Sequence, residues 1–169
     1  NISQANLMDL DTLKKLASIK NIKGVKYTAP THFNFSKIKK EISNDFKIYS
    51  GMDEMALSGI ISGADGMIGS FYNLMPEMFV NLFTQLQKGD INEAKKTQEK
   101  INIIIVYALE KSGYPFIKMG MNWLGIDSGY VRRPFVSITD TDVENEIKKD
   151  LKILSKENDL SGIKFLEEL

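Results

Sequence analysis

Ile22-Lys23-Gly24-Val25-Lys26-Tyr27-Thr28-Ala29-Pro30 is the stretch on which the fold turns. It is a short run rich in β-branched and aromatic residues, stopped by a proline that cannot continue a hydrogen-bonded strand, and it reads as a β-strand. Upstream, Leu7, Leu10, Leu13, Leu16 and Ala17 recur at three- and four-residue spacing, with Asp9, Asp11, Lys14 and Lys15 facing away. That spacing predicts an amphipathic helix over about 9–20. Downstream the pattern alternates again. A helix is expected over 36–43, a strand over 46–50, a helix within 51–63 and a small-residue strand over 66–70. Pro76 then stands where the first turn of another helix tolerates proline. Beyond Gly89-Asp90 only helical spacing is left, over 91–111, 115–124 and 141–156, with a loop over 125–134. Strands alternating with helices predict a parallel sheet of βαβ units, here followed by helices alone.

Composition narrows the function classes. Lys+Arg and Asp+Glu number 22 each, so the formal net charge is zero, and the pI near 6.8 offers no attraction for nucleic acid or an anionic membrane. Hydrophobic residues at 43% and charged residues at 26% are ordinary globular usage and can build a core. The longest apolar run, 103–109, falls far short of the ~20 residues that span a bilayer. There is no cysteine, hence no disulfide framework or thiolate metal site, and the opening residues lack a signal-peptide layout. These features lead us to expect a soluble protein of the reducing cytoplasm.

Lys26 is the informative residue. Alternation along the strand puts Gly24, Lys26 and Thr28 on one face and Val25 and Tyr27 on the other. Lys26 therefore lies near the C-terminal end of a strand, the end of parallel α/β sheets where active sites are built. Burial there would disfavour the ammonium form and leave an amine nucleophilic towards carbonyls; a solvated or ion-paired lysine is the bland alternative. Gly51-Met52-Asp53-Glu54 follows the next strand, and the run G-A-D-G-M-I-G-S-F-Y-N over 63–73 spans the third. Parity within that third strand aims Ser70 like Lys26.

These three segments, in this order and strand-to-helix context, resemble the pyruvate-dependent Schiff-base aldolases, the N-acetylneuraminate lyase and dihydrodipicolinate synthase family. Gly24-Val25-Lys26-Tyr27-Thr28, the Asp53-Glu54 pair and the Ser-x-Tyr-Asn ending at Ser70 favour the sialic acid aldolase branch over the synthase branch. The resemblance implies the C-terminal part of a (β/α)8 barrel, with about three strands, followed by a helical extension. It divides the chain into 1–89, a partial barrel carrying the imine lysine, and 90–169, the extension. It also implies that Lys26 forms an imine with the keto acid and that Thr28, Gly51, Asp53, Glu54 and Ser70 contact the sugar portion. Cleavage of N-acetylneuraminate to N-acetylmannosamine and pyruvate follows, with no cofactor or metal, in a homotetramer.

A barrel of this kind needs about 250 residues. The family's proton-relaying tyrosine ends the fifth strand, and Asn1-Ile2-Ser3 corresponds to the residues just after it. The family's carboxylate-binding loop has no counterpart either, so this chain alone is expected to be inactive or nearly so. Tyr27 points to the helix-facing side by parity, Tyr49 likewise lies opposite Ser50, and Tyr72 belongs to the Ser-x-Tyr-Asn motif. None of them is promoted to the missing role. A helix-rich interaction module or pseudoenzyme that keeps the motifs as scaffold is the competing reading. His32, the sole histidine, is expected at the surface or in a capping role, and Arg132-Arg133-Pro134-Phe135 in a loop packed against helices or at a subunit interface. Gly63, Gly66 and Gly69 lead into and occupy a strand rather than opening a helix after one, which removes the phosphate-loop reading.

Overall fold

The computed structural model describes residues 9–169. They form two compact units, divided between Gly69 and Ser70.

The first unit alternates helix and strand: α1 (Leu10–Ala17), β1 (Gly24–Tyr27), α2 (Asn34–Glu41), β2 (Lys47–Ser50), α3 (Ala56–Ile61) and β3 (Gly66–Met67). The strands make a parallel sheet in the order β1-β2-β3. Asp9 starts α1 by accepting the Thr12 amide on Oδ1 at 2.7 Å, satisfying a donor that the first helical turn leaves unpaired. Leu13 of α1 and Phe35 and Ile38 of α2 bury themselves with Phe46 and Ile48, and Val25, Tyr27 and Ile42 pack around that cluster. One face of the sheet is thus its core face.

Two of the differences from the sequence expectation have a local cause. Helix α2 begins two residues earlier, because the turn already closes with the Phe35 amide on the His32 carbonyl. Ser36, read as the first residue, instead donates its hydroxyl back to the Phe33 carbonyl at 3.0 Å. Strand β3 holds only Gly66–Met67, so alternation does not extend to Ser70. That residue lies in a turn, its carbonyl accepting both the backbone amide and the side-chain amide of Asn73.

Asp65 ties this unit together below β2. Its carboxylate takes Lys39 Nζ at 2.6 Å, Lys47 Nζ at 3.3 Å and the Ile48 amide at 2.8 Å. Burial pushes the carboxyl up, but these donors outweigh it and hold the pKa at about 2. The folded value lies below the unfolded one, so the group stabilises above the ordinary carboxylate pKa and loses that contribution as pH falls towards 2. Asp65→Asn is expected to cost about 1–2 kcal/mol at neutral pH. Urea titrations from pH 7 to pH 2 should show most of that difference disappearing.

The second unit is helical: α4 (Pro76–Gln87), α5 (Ile91–Glu110), α6 (Tyr114–Trp123), α7 (Thr141–Glu157) and the short α8 (Lys164–Glu167), which the sequence reading did not anticipate. Pro76 occupies the first turn of α4. Helix α5 stops at Ser112 and Gly113, both at positive φ, where the Gly113 amide closes on the Ala108 carbonyl at 2.7 Å. Asp140 caps α7 through the Asp142 and Val143 amides. Helix α4 packs on α5, which is why it groups with this unit although the last strand precedes it. Phe116, fully buried, meets Tyr107, Trp123 and Phe165 edge to face. No helix among the described residues is long and apolar enough to cross a membrane.

Candidate active site

Behind β1 the core face is sealed. Tyr27 sets its ring edge-on to Phe35 at 5.2 Å and accepts the Asn34 side-chain amide on its hydroxyl at 2.7 Å. That fixes the opposite face as the one carrying Lys26 and Thr28, both exposed, as parity required. Because Lys26 is exposed, the described residues do not supply the apolar burial that the sequence reading invoked to activate its amine.

The sheet continues past β2, where the Gly51 amide donates to the Tyr27 carbonyl at 2.9 Å. Gly51 therefore stands beside the end of β1, on the Lys26 face. A methyl placed on it would lie 2.2 Å from Thr28 Oγ1, 2.9 Å from Lys26 Cε and 3.1 Å from Lys26 Cγ. Contacts under 3.0 Å essentially never occur, so the glycine makes the notch over which the lysine stem leans, with the threonine hydroxyl alongside. Lys26, Thr28 and Gly51, chosen from sequence, are thus in contact.

Asp53 and Glu54 open a 3-10 turn, Asp53–Met55, right after that notch. Asp53 is 6% exposed, and its carboxylate rests on a second glycine: a methyl on Gly69 would lie 1.5 Å from Asp53 Oδ1. Glu54 is exposed. Ser70 belongs to the helical unit, in the turn described above, so the strand-parity argument for its direction does not hold.

Two residues stand otherwise than the sequence reading had them. His32 is buried, at 6% exposure. It stacks on Phe35 at 4.9 Å and shares a 3.1 Å hydrogen bond between Nδ1 and Ser58 Oγ, and burial holds its pKa below the ordinary histidine value. Tyr49 does lie opposite Ser50, but the faces are reversed. Ser50 is fully buried on the helix side, where a methyl on Gly59 would meet its Oγ at 2.3 Å. Tyr49 pairs in register with Lys26, which puts it on the lysine's face at 42% exposure. Counting back two residues from Gly51, or noting that Phe46, Ile48 and Ser50 form the buried alternation, would have found it.

An amine-bearing side chain at the C-terminal end of a parallel strand stands beside a hydroxyl and is followed by carboxylates on the next loop, in an α/β protein with an open parallel sheet. The chain belongs to the dihydrodipicolinate synthetase family, whose sequence profile matches residues 3–154. Among solved structures it is 32% identical to N-acetylneuraminate lyase from Fusobacterium nucleatum complexed with pyruvate, with a TM-score of 0.74 over 86% of this chain and 50% of that one. It is 29% identical to CdNal from Clostridium difficile in complex with mannosamine, with a TM-score of 0.76 over 90% of this chain and 51% of that one. Dihydrodipicolinate synthase DapA-2 from Bacillus anthracis shares the fold at 21% identity, with a TM-score of 0.75 over 89% of this chain and 50% of that one. The chain spans about half the length of these relatives, and its three parallel strands match part of the family's barrel, consistent with a C-terminal portion.

Proposed function

We propose that this chain carries the imine-forming part of a class I aldolase acting on N-acetylneuraminate. Lys26 Nζ attacks the C2 carbonyl of the keto acid and water leaves, giving a protonated imine. When the C4 hydroxyl loses its proton, the C3–C4 bond breaks and its electron pair enters the imine. N-acetylmannosamine departs as the aldehyde and pyruvate remains as the enamine, which is protonated and hydrolysed. Dividing one difficult cleavage among covalent steps lowers each barrier. Thr28, Gly51, Asp53, Glu54 and Ser70 are assigned to the hydroxylated portion of the substrate, where carboxylate acceptors form hydrogen bonds roughly twice as strong as neutral ones. Cleavage is proposed for the complete barrel, working without a cofactor as a cytoplasmic homotetramer.

The observation that carries this reading is the Lys26 stem lying over Gly51 beside Thr28. Similarity to lyases solved with pyruvate and with mannosamine supports it. The test is reductive trapping. Incubation of the complete barrel with pyruvate and borohydride should place one N-(1-carboxyethyl) group on the peptide containing Lys26. No adduct, or an adduct spread evenly over exposed lysines, would overturn the assignment.

A further inference from the structure

A single construction repeats along the Lys26 face. Lys26 of β1 leans over Gly51 at the end of β2, and the carboxylate of Asp53 lies on Gly69. Between them Tyr49 of β2 leans over Gly66 of β3, where a methyl would sit 3.1 Å from Cδ1 and 3.2 Å from Cε1 of the ring. Tyr49 is paired with both Lys26 and Gly66 in register. Side chains two residues apart on one strand share a face about 7 Å apart, so the ring stands immediately before the Gly51 notch that receives the lysine stem. Two members of this row, Lys26 and Asp53, have roles in the proposed reaction. The third has none.

We propose that Tyr49 is a positioning residue for Lys26: seated over Gly66, its ring walls the lower side of the Gly51 notch and limits where Nζ can reach. This rests on the aldolase reading for its purpose, but not for its geometry. The ring acts through its face and bulk, since Gly66 receives its carbons; Tyr49→Phe should therefore behave like the native protein, whereas Tyr49→Ala should not. Gly66→Ala provides a second route, because its methyl crowds the ring without touching Lys26.

Two readouts separate this inference from the aldolase assignment. The first is the rate of pyruvate trapping at Lys26 at saturating pyruvate. In Tyr49→Ala it should fall roughly tenfold, as misplacement of a reacting group does, while half-saturating pyruvate changes less than about threefold. The second needs no substrate. Competitive acetylation by acetic anhydride, read by peptide mass spectrometry, should show Lys26 reacting roughly threefold faster relative to exposed Lys88 in both Tyr49→Ala and Gly66→Ala, and unchanged in Tyr49→Phe. Tyr49→Phe should keep the native thermal midpoint, and the acetylation ratio is read well below each variant's midpoint, where a prop that merely stabilised the sheet would leave it unmoved. Native protein that fails to trap pyruvate refutes the aldolase reading alone. Lys26 acetylation left unchanged by Tyr49→Ala refutes the positioning role, whatever happens with pyruvate.

Discussion

Lys26→Arg abolishes pyruvate trapping and lowers lyase kcat/KM of the complete enzyme by at least ~10³-fold, as removal of a covalent nucleophile does. Arginine is the informative replacement. It keeps the positive charge and most of the stem, so it preserves ion pairing and electrostatic attraction for an anionic substrate. Its guanidinium stays protonated at any accessible pH and cannot provide the lone pair that attacks a carbonyl. A lysine that served only as a solvated cation would tolerate the change, and activity within a few-fold of the native enzyme would sink the imine role. Lys26→Ala should be equally inactive, and the two variants then differ only in substrate affinity. Stability should not move by more than about 0.5 kcal/mol in either, since the side chain is exposed on the sheet face opposite the core. Borohydride trapping followed by peptide mapping, with pyruvate release as the activity readout, checks both halves of the expectation.

Most of the first unit could be read from the sequence because each of its signals is local. Alternation through Gly24, Val25, Lys26 and Tyr27, a proline stop at Pro30 and helical spacing around Leu13 are each decided within a few residues. That Lys26 and Thr28 share a face was legible for the same reason, whereas Gly51 was named only through the family resemblance. What failed depended on information that no single strand carries. Ser70 was aimed by extending alternation through a strand that ends at Met67, where the chain turns to close on Asn73. Tyr49 was put on the wrong side because the serine beside it was taken as the residue facing the site. In β2, however, Ser50 is the last member of a buried row begun by Phe46 and Ile48. His32 looks like a loop histidine in sequence. It is drawn inside because Phe35 offers it a ring to stack on and Ser58, on another helix, takes up one nitrogen.

The same sealed face sets the largest stability effect. Phe35 is fully buried and touches Tyr27 edge-on and His32 face-on, among Leu13, Ile38, Phe46 and Ile48. Phe35→Ala removes that transfer free energy and leaves a void that the surrounding helices and strands fill only in part, at a cost of about 3–5 kcal/mol. Against a total domain stability of roughly 5–15 kcal/mol, that loss is a large fraction, and chemical denaturation should show a much lower midpoint. Phe35→Leu, which refills most of the volume, should cost about half as much or less. The sheet separates the two kinds of damage, because Tyr27 rests on Phe35 and Val25 packs on the same buried cluster, while Lys26 lies on the opposite face. Well below its unfolding midpoint, Phe35→Ala should therefore still trap pyruvate at Lys26, whereas Lys26→Arg should fail to trap at native stability. If the phenylalanine variant stayed folded by circular dichroism yet lost trapping entirely, the core and imine faces of β1 would not be separable, and the division of labour across this sheet would have to be abandoned.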